Sequence, residues 1–413
     1  MECHRSMSAT RTSPGRTGRP TRPPATGSAG QVVALLRAHG PMTRGDLGSS
    51  IGLSRATVSS TVGQLIEQGW LDERAAPSAA AGRGRPPMQL ALTQKAGVAI
   101  GVDLGRSHAR VALATLGHEV LAERALELDE SWPAARAVDA VVELVDAVIA
   151  DAGVDRSAVV GVGLGLPAPL DTTGHATSIT IPPEWVRDDP AGALQTRLGV
   201  PVIVENDANL GALAEARWGA GRRFSTLFYV KASTGIGAGV VLDGHLFRGS
   251  GGTAGEIGHF TVDEHGLVCR CGSRGCLEVR AGGPALVAQM AHRGETISSI
   301  ADLVAAARDG DPAATRVLAD AGEALGVALA AVLNLLNPDR VVLSGELGAA
   351  GELVLGSLRK RLGRHALASA VQGASVVQGQ LGERAEALGA VLLVLTEAER
   401  FTAAPAARHA GKA

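Results

Sequence analysis

Three thiols and one imidazole form the most specific chemical pattern in the chain. His259, Cys269, Cys271 and Cys276 fall within Gly-His-Phe-(x8)-Cys-Arg-Cys-Gly-Ser-Arg-Gly-Cys-Leu-Glu, a Gly-rich stretch that can curl its side chains around one point. One nitrogen and three sulfurs at that spacing suit a tetrahedral zinc ion, and four protein ligands leave no position for a catalytic water. The expected metal is therefore structural Zn2+. Glu256 and Glu278 sit beside these ligands. Carboxylates and an imidazole fixed on a rigid loop are what a polyhydroxyl ligand requires, because each hydroxyl must exchange water for a partner of equal quality. A third acidic site, Val204-Glu205-Asn206-Asp207-Ala208-Asn209, lies at an expected strand-to-helix junction. There Asp207 can either cap the helix or act as a general base toward a hydroxyl. Two Gly-rich turns, one with Asp103, Gly105 and Ser107 and the other with Ser233, Thr234 and Gly235, have the amides and hydroxyls that cradle phosphates, although ordinary hairpin turns read the same way.

Such groups need strand ends and loops to position them, and from residue 98 the chain alternates β-rich and helical runs. Strands are expected at Val98–Leu104, Ala109–Thr115, Glu119–Leu126, Val159–Leu166 and Val200–Glu205, with helices over Pro133–Ala150 and about Asn206–Trp218. A second half repeats the scheme. Its strands are expected at Thr226–Lys231, Gly237–Leu242, His245–Phe247 and Arg340–Leu343, and its helices near 284–292, 299–308, 312–337, 350–366 and 382–398. Two β-rich, helix-covered halves imply a two-lobed α/β body with a cleft between the lobes.

The N-terminal part has a different character. Residues 1–90 hold eleven Arg and no Lys against five acids, whereas the remainder is net acidic, so the overall charge of −2 conceals a basic segment suited to a polyanion. Residues 1–29, rich in Arg, Pro, Ser and Gly, read as a disordered arm. Helical periodicity begins at Gln31, Thr43 can cap a second helix, and Ser54 a third in which Val58, Val62, Leu65 and Ile66 form the buried stripe. Ser54, Arg55, Thr57, Ser60 and Gln64 then face outward, as on a helix laid in a DNA major groove. Gly82-Arg83-Gly84-Arg85-Pro86-Pro87 followed by alternating Gln89–Leu92 reads as a β-wing whose Arg83 and Arg85 suit a narrow minor groove. This is a winged helix-turn-helix over residues 30–92. The longest uncharged apolar runs are about ten residues, short of the roughly 18 to 20 needed for a membrane span. With no secretory signal, a cytoplasmic protein is expected.

Taken together, these motifs resemble the ROK family, which unites sugar kinases of the actin-like ATPase (ribonuclease H-like) fold with sugar-responsive transcriptional repressors. The resemblance runs from about Gln31 to about Leu395, with a ROK domain over 98–398 and a disordered tail over 399–413. It rests on Glu-Asn-Asp-Ala-Asn at 205–209, Ser-Thr-Gly-Ile-Gly-Ala-Gly at 233–239, Ala-Gly-Glu-Ile-Gly-His at 254–259, the Cys motif at 269–278 and Ala-Leu-Gly-Ala at 387–390, while the winged helix resembles the regulator branch. It implies that Asn206, Asp207, Glu256, His259 and Glu278 contact a sugar, that His259 gives its other ring nitrogen to zinc, and that Asp207 is the base if the chain is a kinase. The nucleotide side departs from the kinase pattern. Asp103-Leu104-Gly105-Arg106-Ser107-His108 stands where kinases carry Asp-x-Gly-Gly-Thr-Lys, and Ser344-Gly345-Glu346 replaces a Gly-Gly pair. Both changes count against ATP and Mg2+. A segment at 180–185, Thr-Ile-Pro-Pro-Glu-Trp, departs on the sugar side. The resulting expectation is a sugar-responsive regulator that binds operator DNA as a dimer or tetramer; the competing one is an active ATP-dependent hexose kinase with an appended DNA-binding domain.

Overall fold

The computed structural model describes residues 24–76, 87–129, 131–171, 173–176, 189–291 and 297–397. Most of the basic arm, the wing tip with Arg83 and Arg85, the segment 180–185 and the tail 399–413 lie outside the described residues.

The head consists of α1 (Gly27–His39), α2 (Arg44–Ile51), α3 (Arg55–Glu67) and an antiparallel pair, β1 (Leu71–Ala75) and β2 (Met88–Leu92). Thr43 and Asp46 form the expected capping box, and the Ser54 hydroxyl accepts from the Thr57 N–H. Helix α1 starts ahead of Gln31. Its first turn has no apolar periodicity to betray it and is tied down by the Ser28 hydroxyl, 3.2 Å from that of Thr61. On α3, Val58, Thr61, Val62 and Leu65 are buried, while Ile66 is half-buried.

Lobe 1 contains β3 (Val98–Leu104), β4 (His108–Thr115), β5 (Val120–Glu127), α4 (Ala134–Asp151), β6 (Val159–Leu166), α5 (Pro190–Leu198), β7 (Val202–Asn206) and α6 (Asp207–Trp218). Lobe 2 contains β8 (Thr226–Ala232), β9 (Ile236–Leu242), β10 (His245–Leu246), α7 (Leu277–Ala281), α8 (Gly283–Met290), α9 (Ile300–Arg308), α10 (Pro312–Leu336), β11 (Arg340–Ser344), α11 (Gly345–Ala349), α12 (Glu352–His365), α13 (Ala368–Gly373) and β12 (Ser375–Gln378). The sheets run β5-β4-β3-β6-β7 and β10-β9-β8-β11-β12. In each, three antiparallel strands precede two that pair in parallel, so the second half does repeat the first. The turn Asp243-Gly244 has positive φ at both residues, the geometry a two-residue hairpin demands. Against the expectation from the short apolar runs, helix α10 is by length and composition apolar enough to cross a bilayer, yet its apolar stripe lies in the core of lobe 2 against α12.

The last helix, α14 (Ala385–Thr396), leaves lobe 2 and packs on the lobe 1 sheet and on α6. Glycines on both sides permit that approach. A Cβ at Gly101 would stand 2.0 Å from the Ala387 carbonyl oxygen, and one at Gly389 would stand 1.9 Å from that of Leu210. The same helix reaches the head, since one buried cluster runs from Leu36, Leu65 and Trp70 through Leu116 to Leu388 and Leu392. The link at Thr93–Gly97 is pinned as well. The Thr93 hydroxyl donates to the Gly69 carbonyl at 2.7 Å, and Lys95 Nζ donates to the Gln68 carbonyl at 2.7 Å while lying over the Trp70 ring.

Candidate ligand cleft and metal centre

A 3-10 turn, Ile257–His259, delivers the imidazole, and Cys276 opens α7. Between them the loop folds back on itself through the bridges Thr261↔Cys276 and Val268↔Arg274. His259 Nδ1 lies 3.7 Å from Cys269 Sγ, Cys271 Sγ lies 3.6 Å from Cys276 Sγ, and all four candidate ligand atoms fall within 4.8 Å of one another. Tetrahedral zinc with Zn–S near 2.3 Å sets its sulfurs about 3.8 Å apart, so the cluster fits that ion. It does not fit a disulfide, whose sulfurs are about 2.05 Å apart. Without a cation, burial and the neighbouring thiols push the Cys276 thiol up to about 12; a bound metal is what would hold such a group as thiolate.

The other expected ligand-binding groups gather around the start of α6. Asn206, at the end of β7, caps α6: its Oδ1 accepts from the Asn209 N–H at 3.1 Å and its Nδ2 donates to the Ala168 carbonyl at 3.0 Å. The capping role considered for Asp207 thus falls to its neighbour. Asp207 Oδ1 accepts from the Ala208 N–H at 2.8 Å, and its Oδ2 accepts from Lys231 Nζ at 2.9 Å. Glu278 Oε1 pairs with Arg270 at 2.9 Å, and Oε2 accepts from the Ile236 N–H at 3.2 Å. Burial, with the charges of Asp207 and Glu278, pushes the Glu256 carboxyl up to about 7. The carboxylates of Asp207, Glu256 and Glu278 therefore feel one another across one site, with His259 three residues along the chain from Glu256.

The two phosphate-type turns are occupied by the protein itself. His108 Nε2 is 3.0 Å from Asp103 Oδ2, and the ring lies over the first turn so closely that a Cβ on Gly105 would be 2.4 Å from it. Ser107 belongs to the same closed turn, its carbonyl accepting from the Leu128 N–H. On the second turn, which carries Thr234 and Gly235, the Ser233 hydroxyl donates to Glu346 Oε2 at 2.9 Å. Gly345 takes φ 74° directly above β8, delivering that carboxylate. An anionic ligand would meet a negative side chain here.

Lys231 was not among the expected site residues. It lies on β8, and its signal is compositional: the chain has only four lysines among 39 basic residues, and this one is the only charged residue of its strand. Its burial alone would favour the neutral amine, but Asp207, Glu386 and Asp103 more than offset this and hold the ammonium charged well beyond its ordinary range. Glu386, at the start of α14, also accepts from the Tyr229 hydroxyl at 2.9 Å.

In the head, Ser54, Arg55, Thr57, Ser60 and Gln64 are all exposed on one side of α3. The Thr57 hydroxyl, 2.8 Å from that of Ser54, shares in the cap.

These features define a class: a two-lobed body with the actin-like sugar-kinase fold, carrying a winged helix-turn-helix at its N-terminus. The chain belongs to the ROK family, whose model matches residues 99–397, and a MarR family model matches residues 25–84. It is 29% identical over 357 residues to the xylose repressor of Bacillus subtilis, covering 86% of this chain and 92% of that protein. A solved ROK family transcriptional regulator, a homologue of the E. coli MLC protein, superposes with TM-score 0.69 at 28% identity over 89% of this chain and 95% of its own. A ROK family glucokinase from Streptomyces griseus, solved with glucose and AMPPNP, superposes with TM-score 0.61 at 30% identity over 72% of this chain and 99% of its own.

Proposed function

We propose that this protein is a sugar-responsive DNA-binding transcriptional repressor whose kinase-like body binds a sugar but has lost phosphoryl transfer. The observation that carries this reading is the continuous apolar core that joins a head with an exposed third helix to the body, supported by the candidate sugar acceptors kept near α6 and by His108 and Glu346 set against the two Gly-rich turns. Asn206, Asp207, Glu256, His259 and Glu278 contact the sugar, with His259 using Nε2. Its Nδ1 joins Cys269, Cys271 and Cys276 on a structural zinc ion, which holds the loop in shape. Ser54, Arg55, Thr57, Ser60 and Gln64 face operator DNA in the major groove, and Arg83 and Arg85 follow the minor groove. The protein acts in the cytoplasm as a homo-oligomer with two reading heads, so that lobe movement matches or misses half-sites about 34 to 36 Å apart.

A thermal-shift screen of pentoses, hexoses and phosphosugars, led by xylose and glucose because relatives carry those names, followed by DNA binding with any hit, tests this reading. The retained Asp207, Thr234 and Gly235 favour the alternative of a hexose kinase, and a coupled assay decides between the two. Sugar-dependent ADP release that Asp207→Asn abolishes would establish the kinase and overturn the loss of catalysis proposed here.

A further inference from the structure

Where the two lobes and α14 meet, two carboxylates from separate elements pair with one ammonium, and a third acts on it through its charge. Lys231 Nζ stands 2.9 Å from Asp207 Oδ2, at the start of α6, and 3.6 Å from Glu386 Oε1, at the start of α14. The third acid, Asp103, comes from β3 of lobe 1. It is 1% exposed, and its Oδ1 has no hydrogen-bond partner. Burial would push that carboxyl up, but the charge of Lys231, the hydrogen bond from His108 and the charge of Arg110 together hold it below its ordinary value. Three carboxylates gathered where water is scarce repel one another strongly unless a cation lies between them. Hard oxygen donors converging from several elements are also what Mg2+ or Mn2+ selects. We propose that the Lys231 ammonium is a built-in substitute for a divalent cation at this centre, so that the cleft keeps its charge balance and its lobe geometry without metal or nucleotide. The proposal is independent of which ligand the protein senses.

If Lys231 replaces an ion, removing its charge while keeping its length should create an ion site. Full-length, zinc-loaded wild type, Lys231→Met and the double variant Lys231→Met/Asp103→Asn are titrated with Mn2+, free Mn2+ being read by electron paramagnetic resonance. Melting temperatures are recorded with and without Mn2+. Wild type should bind no Mn2+ that depends on Asp103. Lys231→Met should bind one Mn2+ per chain, at least roughly tenfold more tightly than the double variant, and its lowered melting temperature should rise on adding the ion. Lys231→Arg keeps the cation and should behave as wild type. The proposal fails if wild type already holds Mn2+ at a site that Asp103→Asn abolishes. It fails equally if folded Lys231→Met binds none, or if a poorly folded Lys231→Met is not raised by Mn2+ while the double variant is restored without it.

Discussion

At the scale of single residues, the account rests on groups whose partners are fixed before any ligand arrives. If zinc binds through His259 and the three thiols, Cys271→Ser should lower the metal content to well below one zinc per chain, and a stoichiometry unchanged from wild type would remove Cys271 from the ligand set. Glu256 makes a second prediction. Its carboxyl, pushed up to about 7 in the folded chain from an ordinary 4.5, carries its proton more readily when folded than when unfolded. Its contribution to stability is therefore fully present below about pH 4.5 and lost as pH rises through about 7. The melting temperature of ligand-free protein should fall between pH 5 and pH 8 by more in wild type than in Glu256→Gln, and equal falls would contradict the assignment. The cluster of His259 with the three thiols and the acids of 205–209 and 254–278 were legible as candidates because their types and spacing are local. Lys231 was not, because its partners Asp103, Asp207 and Glu386 are scattered over nearly three hundred residues of chain and only folding brings them together.

Among the elements, α14 stands out as the piece that touches everything: Glu386 meets Lys231 and Tyr229 of lobe 2, while Leu388 and Leu392 belong to the cluster that continues into the head. Its seating is tight, so Gly389→Ala must shift α14 or α6. It should cost about 1 to 3 kcal/mol of stability, read as a lower midpoint in urea, and an unchanged midpoint would show that the contact yields freely. The reading helix carries a different kind of prediction. Arg55→Ala should weaken DNA binding, and if Arg55 meets a phosphate it should lower the log–log salt slope by about 0.9 without changing the fold; a salt slope and affinity equal to wild type would take Arg55 out of the interface. Most of these elements were readable from sequence, because caps such as Thr43 and Ser54 and buried stripes such as that of α3 are written within a few residues. The first turn of α1 and the short β12 and α13 were not. They lack a periodic apolar pattern and are held by contacts distant in sequence, such as Ser28 with Thr61 and Val341 with Val376.

For the whole molecule, the claim is that one sugar-kinase-like body has become the sensor for a DNA-reading head. The head is joined to it by more than the packed link. The His118 ring, at positive φ, places Nε2 2.7 Å from the Arg37 carbonyl oxygen and meets Trp218 edge-on, and Arg74 pairs with Glu119 at 2.8 Å. A packed seam of this kind would carry the lobe movement proposed above to the head instead of absorbing it in a tether. Such coupling exists only if a sugar binds the two lobe arrangements with different affinity. The most direct measurement is the affinity of the full-length, zinc-loaded protein for its operator, by fluorescence anisotropy, with and without each sugar at millimolar concentration and with ADP release followed in the same samples. The account predicts that one sugar weakens DNA binding at least about tenfold, a coupling of about 1.4 kcal/mol, with no ADP formed when ATP is supplied. Operator binding indifferent to every saccharide, or a sugar response accompanied by steady ADP production, would contradict it.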